Sequence, residues 1–173
     1  AGDCRPPASS VGDEPVRETQ GGCRDVDLLP SRKNLHRIRA ATLCLLNGER
    51  QARGLGGLRE QRTLRTVAGR YARHMVAKRF FAHTSPGGST MLSRIKRTSY
   101  LRRASNWTVG ENLAWGTGEL ATPGRTVRAW MDSPGHRRNI LDRRFREIGI
   151  GITTGAPAAA RGSSTAATYV TEF

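Results

Sequence analysis

Two of the four histidines lie where a side chain could do chemistry. His83 follows the apolar run at 80–82 and precedes a Thr-Ser-Pro turn, so a helix end would deliver its imidazole to a loop. His136 stands directly behind Ser-Pro-Gly, a sequence typical of a helix start. Imidazoles in such places bind metal ions or transfer protons near neutral pH. His36 and His74 lie inside helical patterns among arginines, which favours solvated or partly packed side chains.

The imidazole of His136 is expected to stay neutral near pH 7. It falls in the first turn of a predicted helix that runs through Leu141, and a helix N-terminus disfavours added positive charge, as do Arg137 and Arg138. Neutral imidazole is the form that binds a metal ion. Ser133 raises the alternative of a serine nucleophile beside its base. Its position suits a helix N-cap better, and no third residue orients the imidazole.

Glu111 is an acidic residue in a region with few others. Between Glu60 and Asp132 the sequence contains only Glu111 and Glu119 as acids. Two interpretations of Glu111 remain open. It is either part of a functional site or the acidic half of a structural ion pair with an arginine.

Apolar periodicity predicts the elements that must position these residues. Steps of three and four residues predict one helix from Leu35 to Ala52, ended by Gly54, and a second from Leu64 to the Phe pair at 80–81. Capping residues predict three short helices, at 90–96, 122–132 and 133–141. Alternation in steps of two predicts strands over 147–153 and 167–173, paired across the loop at 155–165, and a further strand is expected at 109–115. This order predicts an α+β layered fold and not a parallel βαβ one.

The chain of 173 residues is strongly basic, with 29 Lys and Arg against 14 Asp and Glu. The first 30 residues hold six of those acids and three arginines. The predicted organisation is a flexible leader over 1–30, unless Cys23 ties it down, and one folded domain over 31–173. The basic surface would attract an anionic cell-wall polymer, a lipid surface or nucleic acid through its field alone.

Two classes of protein are disfavoured by the same composition. No apolar run approaches the roughly 18 residues that cross a bilayer, so the sequence does not predict a transmembrane protein. Specific nucleic-acid binding is not expected either, because the arginines are scattered, few aromatics lie among them and no known reading module is present.

The three cysteines lack the CxxC pairs of a structural zinc site. Cys44 lies on the apolar face of the first predicted helix and Cys23 precedes that helix, so we expect a disulfide between them. Cys4 would then be free, blocked or bonded to another chain. Three unpaired thiols remain the alternative, because so few cysteines do not define a redox compartment. A disulfide would indicate an exported protein.

Five short motifs follow one another with regular gaps. They are FFAHTSP at 80–86, GENLAW at 110–115, WMDSPGHRRNIL at 130–141, IGIG at 148–151 and YVTEF at 169–173. In this order they resemble the CAP domain, the superfamily of cysteine-rich secretory proteins, antigen 5 and pathogenesis-related 1, with the compact spacing of its bacterial branch. The resemblance covers about residues 35–173. It implies a three-layer α-β-α sandwich with an antiparallel central sheet.

The resemblance also implies a cleft with two histidines and two acids. Carried over, His83 and His136 are the cleft histidines, which bind a divalent metal in some members, zinc most often, and Glu111 is the first acid. Plant and animal members place the second acid three residues after the helix tryptophan, Trp130, where this chain has Ser133. The residues expected to line the cleft for a ligand are Glu111, Asn112 and Ser133.

Two functions follow from these expectations. The first is a secreted binding module, free or associated with the cell wall, for a cell-envelope, lipid or glycan ligand, because a family resemblance does not itself supply a reaction. The alternative is a metal-dependent hydrolase of peptides or esters. In that reading His83 and His136 hold the metal and Glu111 is the general base that deprotonates bound water.

Overall fold

Helices cover both faces of a small sheet in this computed structural model, which describes residues 22–102, 104–158 and 165–173. The helices are α1 Leu35–Gln51, α2 Arg62–Lys78, α3 Met91–Lys96, α4 Pro123–Asp132 and α5 Pro134–Ile140, with a 3-10 helix at Gly118–Ala121. The strands are β1 Arg59–Glu60, β2 Glu111–Thr117, β3 Glu147–Thr154 and β4 Ala166–Glu172. Helix α2 packs on one face of the sheet, and α1, α4 and α5 lie on the other.

The sheet has the strand order β1-β3-β4-β2. Strand β4 is antiparallel to both neighbours, as the pairing across 155–165 predicts. The two-residue β1 runs parallel to β3, so the sheet is mixed and the expectation of a wholly antiparallel sheet is wrong at this edge. A strand this short has no alternation that could have revealed it.

Alternating isoleucine and glycine in β3 builds the two faces of the sheet. The isoleucines point into the core cluster that contains Ile38, Leu46 and Trp130. The glycines face α2 so closely that an added Cβ at Gly149 would lie 2.0 Å from the backbone of that helix. At Gly151 the corresponding distance to the backbone is 2.2 Å. The glycines therefore let α2 lie directly on the sheet, which determines the position of the loop that follows α2.

Most of the predicted helix ends occur close to where the sequence places them. Helix α2 stops at Lys78 because Arg79 takes a left-handed backbone conformation, with φ 53°, and the Phe80 N–H closes the helix end onto a carbonyl one turn back. Thr90 and Thr122 cap α3 and α4 through their side chains, as predicted. Ser133 occupies the N-cap position of α5, but in the described chain its side chain makes no capping hydrogen bond, which corrects the role expected for its hydroxyl.

The end of the predicted leader is attached to the domain. Cys23 and Cys44 form a disulfide, which confirms the expected pairing over the alternative of three unpaired thiols. The carbonyl of Val26 accepts a hydrogen bond of 2.8 Å from the Gly124 N–H at the start of α4. Residues 22–30 are therefore held in place. The predicted leader was expected to be flexible unless Cys23 ties it down, and Cys23 does so for this part. Residues 1–21, with Cys4, lie outside the described ranges.

Candidate functional site

Two side chains hold the backbone around His83. The Tyr71 hydroxyl, on α2, donates a hydrogen bond of 2.6 Å to the carbonyl of Ala82. Arg94, on α3, donates one of 3.1 Å to the carbonyl of His83 itself. Both helices thus fix the loop at the point where the imidazole emerges, and 60% of that side chain is exposed to solvent.

Glu111 lies at the first position of β2 and has a partner on each carboxylate oxygen. Its Oε1 accepts a hydrogen bond of 2.7 Å from Nδ1 of His83, and its Oε2 is bonded to the guanidinium of Arg94. Only 2% of the Glu111 side chain is exposed. Glu111 is therefore the acidic half of a structural ion pair, and the same carboxylate also bonds an exposed histidine of the candidate site.

Arg94 is the buried cation of this cluster. Its guanidinium carbon lies 3.3 Å from the centroid of the Tyr71 ring, over the ring face. The same guanidinium bonds the carbonyl of Ser89 at 3.1 Å, and only 9% of the side chain is exposed. These contacts fix its orientation, so Arg94 positions Glu111 and is not free to reach a ligand.

Helix α5 is joined to β2 through asparagine side chains. Asn139 donates from Nδ2 to the backbone carbonyl of Glu111 at 3.2 Å and to Oδ1 of Asn112 at 2.8 Å. Asn112 in turn donates to the carbonyl of His136 at 3.1 Å. Residues three apart on a helix share a face, so the bonds of Asn139 also turn His136 toward β2.

The two histidines have opposite shifts in pKa. The hydrogen bond to Glu111 raises the pKa of His83, and burial opposes this only in part. Burial lowers the pKa of His136, and the nearby charge of His83 lowers it further. The neutrality predicted for His136 is thus supported, but its main causes are burial and His83, whereas the prediction invoked the helix dipole and two arginines. Among the described residues its Nδ1 has no hydrogen-bond partner.

A second acid, which was not among the predicted site residues, faces Glu111 across the sheet. Glu172 on β4 is the direct register partner of Glu111 and is fully buried. Its carboxyl lies 3.7 Å from Arg94 and has no hydrogen-bond partner within the described ranges. Burial, followed by the negative charge of Glu111, raises its pKa well above the usual range. Burial therefore disfavours the charged form of Glu172.

The model of the cysteine-rich secretory protein family, CAP, matches residues 43–170. The chain belongs to the CAP family. A relative in Bacillus subtilis (strain 168), "Uncharacterized protein YkwD", is 39% identical over 107 residues, which are 62% of this chain and 39% of that protein. This chain thus spans well under half the length of that relative.

Two solved structures share the fold. An outer surface protein from Borrelia burgdorferi superposes with a TM-score of 0.63 at 23% identity, over 84% of this chain and 94% of that one. An extracellular protein containing an SCP domain from Bacillus anthracis str. Ames has a TM-score of 0.57 at 21% identity, over 79% and 42% of the two chains. Both support an α-β-α sandwich of the CAP type.

In this CAP domain two of the three residues predicted to contact a ligand, Glu111 and Asn112, are buried. Asn112 was expected to face a ligand, but it is fully buried and its amide holds α5 against β2. Ser133 is partly exposed beside α5. Glu111 was the candidate general base, yet both of its oxygens already accept hydrogen bonds below the surface. Of the predicted site residues, His83 is thus the most exposed.

The imidazoles of His83 and His136 are the two candidate donors that the resemblance offers for a metal. The Nδ1–H of His83 bonds a carboxylate, which leaves Nε2 available, and metal-bound histidines commonly have this arrangement. His136 would supply the second nitrogen. No group of three or more His, Cys, Asp or Glu side chains in the described chain could hold a metal. Solvent would have to complete the coordination.

No helix in the described ranges combines the length and the hydropathy that crossing a membrane requires.

Proposed function

We propose that this CAP protein is an extracellular binding module that holds an anionic cell-envelope glycan at the cleft of His83 and His136. The observation that carries the proposal is the exposed His83 imidazole, fixed by its backbone contacts and bonded to Glu111. Because the hydrogen bond to Glu111 raises the pKa of His83, that imidazole favours its cationic form. It can therefore donate a charge-assisted hydrogen bond to a phosphate or carboxylate.

The charges of the cleft favour an anion. Arg94 and His83 each bond one oxygen of Glu111, and burial disfavours the negative form of the neighbouring Glu172. The formal net charge of +15 adds a long-range positive field.

Two further observations support an extracellular location. The disulfide of Cys23 and Cys44 is typical of proteins that work in an oxidising compartment. One structural neighbour is an outer surface protein and another is an extracellular protein.

Retention on purified cell wall tests the proposal. The protein would be incubated with wall carrying its anionic polymers, with wall stripped of those polymers, and with anionic lipid vesicles. We expect retention on intact wall, a loss of about tenfold for His83→Ala because one charge-assisted hydrogen bond disappears, and no loss for the exposed-histidine control His36→Ala. Retention should also fall as the pH rises and His83 loses its proton.

Three results would contradict the proposal. Equal retention of His83→Ala and wild type would show that the cleft is not involved. Equal retention on stripped wall would show that the anionic polymer is not the ligand, and stronger retention on vesicles would favour a lipid. Complete loss at high salt for wild type and variants alike would leave only unspecific charge attraction.

We further propose a divalent metal, zinc first, as an optional cofactor held by His83 and His136. When bound it would supply a Lewis acid that binds an oxyanion or activates water. Its affinity should fall with decreasing pH, because protonation of His83 competes with binding. Zinc titration by calorimetry on wild type and on His83→Ala with His136→Ala checks this, and equal heats would reject the site.

The hydrolase alternative is weaker on geometric grounds. Glu111, its expected general base, has both oxygens bonded, to His83 and Arg94, and is 2% exposed. A base must reach the proton that it removes, directly or through one water. A peptide and ester panel on wild type and Glu111→Gln tests this alternative, and activity that depends on the Glu111 carboxylate would revive it.

A further inference from the structure

A cavity lies apart from His83, Glu111 and His136. It has a volume of about 670 Å³ and is bounded by residues 100–101 and 104–108, which follow α3, and by the segment that leads into β3. Its lining includes Phe173 at the end of the chain and none of the cleft residues His83, Glu111 and His136. Its volume falls in the range of small-molecule sites.

The hydrogen bonds of Glu147 and a stacked pair of phenylalanine rings hold the walls of this cavity together. One carboxylate oxygen of Glu147 accepts a hydrogen bond of 2.6 Å from the Tyr100 hydroxyl, which ties the loop to the start of β3. The other oxygen accepts one of 2.9 Å from Arg59. Phe145 and Phe173 stack with centroids 5.2 Å apart. The shape of the cavity therefore depends on specific contacts and not on loose surface side chains.

The charge of the lining is positive, with three arginines against one glutamate. The carboxylate of Glu147 is occupied by Tyr100 and Arg59, as described, and Arg144 is paired with Asp142 outside the lining. Arg146 has no carboxylate partner in the ranges 22–102, 104–158 and 165–173, and its guanidinium contacts only backbone carbonyls there. An exposed guanidinium of this kind can bind a phosphate or carboxylate through two parallel hydrogen bonds.

The lining of the cavity also contains an exposed aromatic ring. Trp107 is 44% exposed, and the ammonium of Lys96 lies 5.5 Å from its ring centroid. Asn106 and Thr108 flank the indole in the lining and offer amide and hydroxyl groups. An indole face packs well against the C–H face of a sugar ring, while neighbouring polar groups bond its hydroxyls.

We infer that this cavity is a second binding site, for an anionic sugar unit. The sugar ring packs on Trp107, its hydroxyls bond Asn106 and Thr108, and its phosphate or carboxylate bonds Arg146. This inference does not depend on the ligand proposed for the His83 cleft, because the two sites share no side chain.

The test follows the Trp107 indole in a ¹H–¹⁵N spectrum, with its signal assigned by its loss in Trp107→Phe. Glucose 6-phosphate, glucose and inorganic phosphate are the probes. We expect glucose 6-phosphate to shift the Trp107 signal saturably, and Arg146→Ala to weaken the affinity about tenfold through loss of the charge-assisted bonds. Glucose and inorganic phosphate should each bind about tenfold more weakly than glucose 6-phosphate, because each makes only part of the contacts. Arg128→Ala, an exposed arginine on α4, is the matched control and should bind like wild type.

Several results would overturn the inference. They are a Trp107 signal that does not respond to glucose 6-phosphate, equal effects of Arg146→Ala and Arg128→Ala, or neutral glucose binding as well as its phosphate. His83→Ala separates the two sites. If that variant abolishes the response, the sugar phosphate occupies the cleft, so the second site is rejected while the proposed function stands.

Discussion

Arg94→Ala is expected to destabilise the whole domain, because Arg94 is the buried cation next to two carboxyl groups. It bonds Glu111 directly and lies 3.7 Å from Glu172. Without it, Glu111 keeps His83 as a partner but loses the contact on its other oxygen. The substitution also removes the cation over the Tyr71 ring.

The expected loss follows from the burial of this pair. Removing one partner of a buried ion pair costs about 3–5 kcal/mol, because the remaining charge is desolvated without compensation. His83 compensates part of the Glu111 charge from 2.7 Å. We therefore expect the free energy of unfolding of Arg94→Ala to fall by the lower value, about 3 kcal/mol. This is a large fraction of the roughly 5–15 kcal/mol that stabilises an ordinary domain.

Urea unfolding at pH 7, followed by circular dichroism, measures this loss. The matched control Arg128→Ala removes an exposed arginine and should change the free energy of unfolding by less than about 0.5 kcal/mol. The double variant Arg94→Ala with Glu111→Gln should recover part of the loss, because a neutral amide needs no counter-ion. Arg94→Lys should lie between wild type and alanine, since lysine keeps the charge but lacks the planar fork.

Equal losses for Arg94→Ala and Arg128→Ala would contradict a buried ion pair as the cause. No recovery from Glu111→Gln in the Arg94→Ala background would contradict it as well. That result would mean that the unpaired carboxylate of Glu111 is not the origin of the cost.

Three further predictions concern stability and charge. Replacing Cys23 and Cys44 by serine opens a disulfide with a sequence separation of 21, and the chain-entropy relation predicts a loss of about 3 kcal/mol in urea unfolding. NMR titration should find the pKa of His83 above its usual value, and Glu111→Gln should lower it, because the hydrogen bond to Glu111 causes the shift. With a raised folded-state pKa, the stability that His83 contributes is fully present below its unfolded pKa of about 6.5 and is lost as the pH rises through the folded value. Gly149→Ala would place a Cβ 2.0 Å from the α2 backbone, so α2 must move and we expect a loss of about 3 kcal/mol.

Each of these predictions has a control and a contradicting result. Cys4→Ser should leave the urea midpoint unchanged, and a double cysteine variant as stable as wild type would contradict the first prediction. An unchanged pKa of His83 in Glu111→Gln would contradict the second. Gly56→Ala adds a Cβ with nothing within 4 Å, and a Gly149→Ala as stable as Gly56→Ala would contradict the third.

The elements that carry the site could be predicted from the sequence, because each has a local signal. Periodic apolar residues predict α1 and β3, and threonine caps predict the starts of α3 and α4. The motifs around His83 and His136 indicate the CAP resemblance, which the family match confirms. The disulfide partner of Cys44 could also be predicted, since Cys23 precedes the helix on which Cys44 lies.

Arg94 and Glu172 could not be selected from the sequence. Arg94 is one of 29 basic residues and no neighbouring residue distinguishes it. Glu172 offered a weak signal, an acid inside an alternating strand, but its importance depends on its partner. Only the register of β2 and β4 places it opposite Glu111.

The sequence by itself predicted the helices, the main strands and the disulfide, and its motifs indicated His83 and His136 as candidate site residues, because those features follow from local patterns or short motifs. The tertiary structure alone decided which charges meet. Burial and the negative charge of Glu111 raise the pKa of Glu172, α3 brings Arg94 to Glu111, and burial lowers the pKa of His136. The physical reason is that a pKa depends on desolvation and on charges that are near in space, which local sequence patterns do not encode.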